Sequence, residues 1–166
     1  MAQVDLILGT MMFGARADEA DSRQMLAEFT GAGWTSLDTA YVYSDGASEG
    51  IIGRWTAEKA PAELRIATKA HPRATGILDG ATVRKELETS LQRLQTDSVD
   101  LFYLHQPDLH HPVEDPLEMC AQLYAEGKFR RLGLSNYPAW LVEKAWYLCE
   151  KHDWPRPQVY QGMYNG

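Results

Sequence analysis

LILGTMMFG, residues 6–14, is the stretch on which the fold turns. Leu6-Ile7-Leu8-Gly9-Thr10 is a brief apolar run ended by small residues, which predicts a buried β-strand. The turn after it, Gly9-Thr10-Met11-Met12-Phe13-Gly14, is not GxGxxG. An open, doubly wound sheet usually announces that glycine pattern after its first strand, where the backbone must approach a pyrophosphate. Without the pattern a Rossmann phosphate turn is not supported, and polar residues at the ends of several different strands favour a closed (β/α)8 barrel over the open sheet.

The same alternation repeats outward from there. Asp18 to Gly33 reads as a helix: acidic residues open it, Met25, Leu26 and Phe29 face inward, and Gly31 or Gly33 stops it. Ser36 to Ala40 is a second strand, and Ser48 caps a helix whose apolar face is Ile51, Ile52 and Trp55. Arg65 to Ala70 is a third strand. Asp79 or Thr82 caps the next helix, with Val83, Leu87, Leu91 and Leu94 on one side. Val99 to His105 is the fourth strand. Asp115-Pro116-Leu117-Glu118 fits an N-cap, a proline in the first helical position and an acid two residues on; Gly127 ends that helix. Arg131 to Asn136 is the fifth strand. Pro138 starts a helix through Leu141, Ala145 and Leu148 to about His152, and Gln158 to Asn165 is the sixth strand.

Strict βα alternation implies a parallel sheet covered by helices. A (β/α)8 barrel has eight strands and typically ~250 residues; six strands are counted here in 166 residues. The expectation is one domain over residues 1–166, a TIM barrel from which the last two βα units are missing. Its first and sixth strands would be open edges through which the chain self-associates.

With 45% hydrophobic and 23% charged residues, the composition is globular. Lysine and arginine number 16 against 23 aspartates and glutamates, for a net charge of −7. That argues against a nucleic-acid footprint, and more weakly against an anionic membrane surface. Cys120 and Cys149 lie in separate helical stretches without metal-ligand spacing, and read as small buried hydrophobes. No charged start leads into an apolar run, and no apolar stretch approaches the ~18 residues that span a bilayer. The expectation is a cytoplasmic protein with reduced thiols.

Polar residues recur at the ends of different strands, where barrel enzymes build their sites. The second strand gives Asp38, then Tyr41 and Tyr43; the third gives Lys69 and His71; the fourth gives His105, with Gln106 and Asp108 beyond. The fifth gives Ser135 and Asn136, and the sixth Gln161. Each alone has an ordinary structural reading: an ion pair, a satisfied core histidine, aromatic cover over a loop. Together they place an acid, a lysine, a phenol and an imidazole in one pocket, where unpaired buried charge is costly. A phenol with pKa ~10 is a poor acid at neutral pH, and a nearby ammonium lowers that value. The ammonium in turn needs a carboxylate. Asp38, Lys69 and Tyr43 thus read as a proton donor with its tuning partners, and a neutral His105 as a hydrogen-bond donor to a carbonyl oxygen.

The stretches LGTMMFG (8–14), DTAYVYSDGASE (38–49), IATKAHP (66–72), VDLFYLHQPD (99–108), GKFRRLGLSNY (127–137) and VYQGMYN (159–165), in this order, resemble the aldo-keto reductase superfamily. The branch they look most similar to is that of the aflatoxin-aldehyde reductases. The resemblance implies a barrel that reduces aldehydes and ketones with NADPH and without a metal. It implies Tyr43 as general acid, five residues after Asp38, a spacing Tyr41 does not meet. It further implies Lys69 as the group that lowers the Tyr43 pKa, Asp38 as the partner of Lys69, and His105 as the group that orients the carbonyl. Ser135, Asn136 and Gln161 would hold the nicotinamide carboxamide, with Thr10, Met11 and Asp38 near its ribose. Two other readings stand beside it. Lys69 would form a Schiff base in an aldolase. Alternatively, the barrel would bind nucleotide and serve a partner without catalysis, as potassium-channel β subunits of the same superfamily do.

Overall fold

The computed structural model describes residues 5–163, apart from residues 60, 62 and 73–75. In chain order the elements are β1 (Ile7–Gly9), α1 (Glu19–Gly31), β2 (Ser36–Asp38), a short 3₁₀ turn (Tyr43–Gly46), α2 (Ala47–Lys59), β3 (Arg65–Ala70), α3 (Gly80–Leu94), β4 (Val99–Leu104), α4 (Glu114–Ala125), β5 (Phe129–Ser135), α5 (Ala139–Lys151) and β6 (Pro157–Gln161). The strands lie side by side in chain order and every pairing is parallel.

One hydrogen bond shows that this sheet curls. Gln161 on β6 donates to Asp38 Oδ2 on β2 at 2.9 Å. The two strands are four places apart in the order, roughly 19 Å in a flat sheet with strands ~4.8 Å apart. Two side chains cannot bridge that gap, so the sheet closes round on itself as a partial barrel.

Alternation along each strand separates two cores. Leu8, Leu37, Ile66, Phe102, Leu104, Leu132 and Leu134 pack outward against the helices, in the large cluster that includes Leu26, Ile52, Leu87 and Leu123. Ala67, Leu101, Tyr103 and Val159 form a second, small cluster inside the curl. Register aligns the inward positions: Gly9, Asp38, Ala67, Leu101 and Arg131 make one row, and Lys69, Tyr103, Gly133 and Val159 the next. Gly133 leaves the space the Tyr103 ring fills, since a Cβ there would stand 2.4 Å from Tyr103 Cδ1.

The predicted elements are all present, with local differences. Val83, Leu87, Leu91 and Leu94 are buried as the α3 stripe. Of its two candidate caps, Asp79 does the capping, accepting from the Thr82 N–H at 2.8 Å. Ser48 does not cap α2. It is buried, and its hydroxyl donates to Thr10 O and meets the Thr39 and Thr10 hydroxyls, while the 3₁₀ turn leads into the helix. Met25 is 45% exposed, and Leu26 and Phe29 carry the inner face of α1. Asp115 does not cap its own helix, which begins at Glu114. Its carboxylate accepts from the Gly80 N–H at 2.8 Å and so satisfies the start of neighbouring α3. Strands are shorter at the mouth than the apolar runs predict. β4 stops before His105, and β5 stops at Ser135 because Asn136 turns left-handed at φ 59°. Tyr164 and Asn165, expected in the sixth strand, lie outside the described residues. Among the described residues no helix is long and apolar enough to cross a membrane.

Candidate active site

The C-terminal ends of β2 to β6 and the loops after them bring the predicted residues to one mouth. Asp38 is the last residue of β2, and Lys69 projects inward from β3, with 1% of its surface exposed. The lysine ammonium pairs with Asp38 Oδ1. It also donates to Thr39 O at 2.7 Å and to the Tyr43 hydroxyl at 3.4 Å. Three donors thus meet three acceptors, as a buried ammonium requires. Burial pulls Lys69 below the ordinary lysine value, and the Asp38 charge opposes that pull.

Tyr43 sits in the 3₁₀ turn after β2, with Lys69 Nζ 4.9 Å from its ring centre. Burial first, and the Asp38 charge second, push its hydroxyl up to about 12. The phenol is therefore protonated at neutral pH, the form a proton donor needs. The Tyr41 ring lies elsewhere, under the Arg93 guanidinium, 4.6 Å from Cζ, while its backbone N–H donates to Lys69 O at 3.1 Å.

His105 follows β4 and packs edge-to-face on Tyr43, ring centres 5.8 Å apart, and on His71 at 4.9 Å. Burial, then the charges of Lys69 and His71, pull it down to about 3, so the ring is a neutral imidazole. Its buried Nδ1 has no hydrogen-bond partner among the described residues.

Ser135, Asn136 and Gln161 line the same mouth. Asn136 Nδ2 donates to His105 O and Ser135 Oγ, both at 3.0 Å, and Gln161 reaches Asp38. Thr10 is fully buried, its hydroxyl committed to Asp38 O and Ser48, whereas Met11 is 52% exposed. Gln106 is exposed. Asp108 organises its own loop, accepting from the Leu78 and His110 N–H groups and pairing with His111 at 2.7 Å. Sequence reasoning passed over Tyr103, whose ring lies 5.8 Å from Lys69 Nζ; the odd-even alternation of β4 was the available signal. It also passed over Glu49 and Arg93, which a linear reading takes for solvated helix residues.

A parallel βα sheet curling into a partial barrel, with an acid, a lysine, a phenol and an imidazole gathered at its strand ends, defines a barrel protein with a candidate site at its mouth. The chain belongs to the aldo/keto reductase family, whose model matches residues 5–166. It is 48% identical over 161 residues to human aflatoxin B1 aldehyde reductase member 4, covering 96% of this chain and 49% of the relative. It is 33% identical to norsolorinic acid reductase of Aspergillus flavus, over 96% of this chain and 46% of that one. The fold is shared with a crystallised thermostable aldo-keto reductase in complex with epalrestat, at a TM-score of 0.84 and 28% identity, covering 98% of this chain and 59% of that one. The chain spans about half the length of the relatives it matches.

Proposed function

We propose that this chain carries the acid–base half of an NADPH-dependent reductase that turns aldehydes and ketones into alcohols. The observation that carries the reading is the ammonium of Lys69, joined at once to the Asp38 carboxylate and the Tyr43 hydroxyl. Tyr43 donates its proton to the carbonyl oxygen. The phenolate this leaves is stabilised by Lys69, and Asp38 keeps that ammonium charged. His105, neutral and with an unsatisfied ring nitrogen, orients the carbonyl.

The residues at the mouth fit a nicotinamide carboxamide, which needs both a donor and an acceptor. Ser135, Asn136 and Gln161 offer hydroxyl and amide groups of both kinds, the last two on exposed residues. Asp38, Met11 and Thr10 would lie near the nicotinamide ribose. When bound, NADPH supplies hydride. The names of the 48%-identical relatives support an aldehyde as substrate. The absence of nucleic acid and membrane from the proposed partners agrees with the net charge of −7, and the two free, buried cysteines favour a cytoplasmic setting for an enzyme of small carbonyl compounds. The Schiff-base reading loses ground to the geometry, because the protons of the buried Lys69 face Asp38, Thr39 and Tyr43 and leave no open side for a carbonyl carbon.

In the complete protein, Tyr43→Phe should lower carbonyl reduction by ~10²–10⁴-fold, the usual worth of a positioned general acid. NADPH affinity, read by tryptophan quenching, should hold. Damage from Tyr41→Phe with none from Tyr43→Phe would refute the assignment.

A further inference from the structure

Tyr43 stands in a turn that is conformationally costly. Ser44 and Asp45 follow it at φ 50° and 52°, and Gly46 at φ 93°, three consecutive left-handed residues of which two carry side chains. Its hydroxyl is 3.4 Å from Lys69 Nζ, at the far limit of a hydrogen bond. A displacement of well under 1 Å breaks that contact, so something must hold the turn in place.

The holding group comes from α3. Arg93 Nη1 donates to Tyr41 O at 2.9 Å and to Glu49 Oε2 at 3.1 Å. The guanidinium covers the Tyr41 ring at 4.6 Å. On its other flank it presses on Gly46, where a Cβ would stand 2.3 Å from Arg93 Cζ. One planar group therefore touches both ends of the turn. Glu49 orients it. That carboxylate is fully buried, and its other oxygen accepts from Thr68 Oγ1 at 2.6 Å, on the residue before Lys69. A contact chain thus runs from β3 through Glu49 and Arg93 to the turn that carries Tyr43, without passing through the reacting groups.

We propose that Arg93 and Glu49 form a positioning pair that clamps the turn from Tyr41 to Gly46 and so fixes the Tyr43 hydroxyl against Lys69. This rests on the reductase reading for its consequence in turnover, though not for the clamp. A guanidinium suits the place because its edge holds a carboxylate and a carbonyl through Nη1 while its flat face covers the Tyr41 ring; an ammonium has donors but no flat face to stack.

The test uses the complete protein with ¹³Cζ-labelled tyrosine and the variants Arg93→Met, Arg93→Lys and Glu49→Gln, with Tyr43→Phe to assign the resonance. Without cofactor, the Tyr43 resonance should shift in Arg93→Met as the phenol leaves the ammonium, and its titration midpoint should move downward, because the released phenol loses the burial and the Asp38 charge that raise it. In turnover, kcat for aldehyde reduction should fall by roughly 10–100-fold, with KM and NADPH affinity within about twofold, as for misplacement of a reacting group. Arg93→Lys should recover only part of the loss. An unmoved Tyr43 resonance with unchanged kcat in folded Arg93→Met would overturn the clamp. Should Arg93→Met not fold, Glu49→Gln, which keeps an acceptor oxygen and the shape, is read by the same two measurements. Full activity in Tyr43→Phe would sink the reductase reading instead, and the titration would still decide the clamp.

Discussion

At the centre of the mouth, the Lys69 ammonium holds the Asp38 carboxylate, the Thr39 carbonyl and the Tyr43 hydroxyl together. Its partnership with Asp38 and Tyr43 was legible in the sequence, because strand ends converge and a buried ammonium must be paired. What the sequence could not show is the balance of forces on the phenol. Burial and Asp38 raise Tyr43 to about 12, against the lowering expected from the ammonium. The Lys69 contribution is therefore best measured by removal. Lys69→Met should cripple reduction at neutral pH, and for alcohol oxidation, which needs phenolate, it should move the pH profile to higher pH; an unshifted profile would refute the ammonium's role. It also strands the buried Asp38, a loss of about 3–5 kcal/mol in a urea melt. Glu86 was invisible as a titrating group. It is buried behind β3, accepting from the His71 N–H at 2.7 Å. Burial raises it from 4.5 to about 7, with Glu49 adding to the shift. Between those values the unfolded chain releases a proton that the folded one keeps, so stability from this group falls as pH rises through the window. Glu86→Gln cannot ionise, and its melting temperature should gain on the wild type's from pH 5 to pH 8. A constant gap would mean that Glu86 ionises alike in both states.

At the scale of elements, periodicity did most of the work. The α3 stripe, the βα alternation and the outward apolar positions all follow from side-chain direction. The misses have a common cause: a polar residue near a helix start serves whichever neighbour is in reach. Ser48 turns to Thr10 and Thr39, and Asp115 to Gly80, contacts 38, 9 and 35 residues distant in sequence. Cross-strand packing is likewise unreadable from one strand. Gly133 looks like a weak point in β5, yet it is the seat of the Tyr103 ring. Gly133→Ala should cost about 1–3 kcal/mol by overpacking, measured by urea denaturation. Gly9→Ala on β1, where a Cβ would meet nothing within 4 Å, is the control and should be nearly neutral. Equal effects at both positions would show that the Tyr103 ring yields freely.

The molecule as a whole has two sheet edges, and their chemistry predicts its behaviour as an isolated 166-residue polypeptide. β1 pairs only with β2, and β6 only with β5, among the described residues. The far sides of both present backbone N–H and C=O groups that a further strand would satisfy. Apolar surface accompanies them: Ile7 is 63% exposed at one edge, and Tyr160 is 54% and Met163 87% exposed at the other. Val159, inside the curl, is covered only in part. At ~25 cal/mol per Å² of apolar area, a few hundred Å² left wet is worth several kcal/mol, comparable with the ~5–15 kcal/mol stability of a domain. Pairing of these edges between copies both buries that surface and completes the ladder. Residues 1–166 alone should therefore self-associate in a concentration-dependent way, and bind NADPH weakly because the contacts at the mouth come from one side only. Light scattering after size exclusion, with tryptophan quenching on NADPH titration, measures both. A cooperative monomer that binds NADPH at micromolar concentration and turns over aldehydes would show that six strands suffice. The six-stranded sheet would then have to close its interior without a partner at either edge.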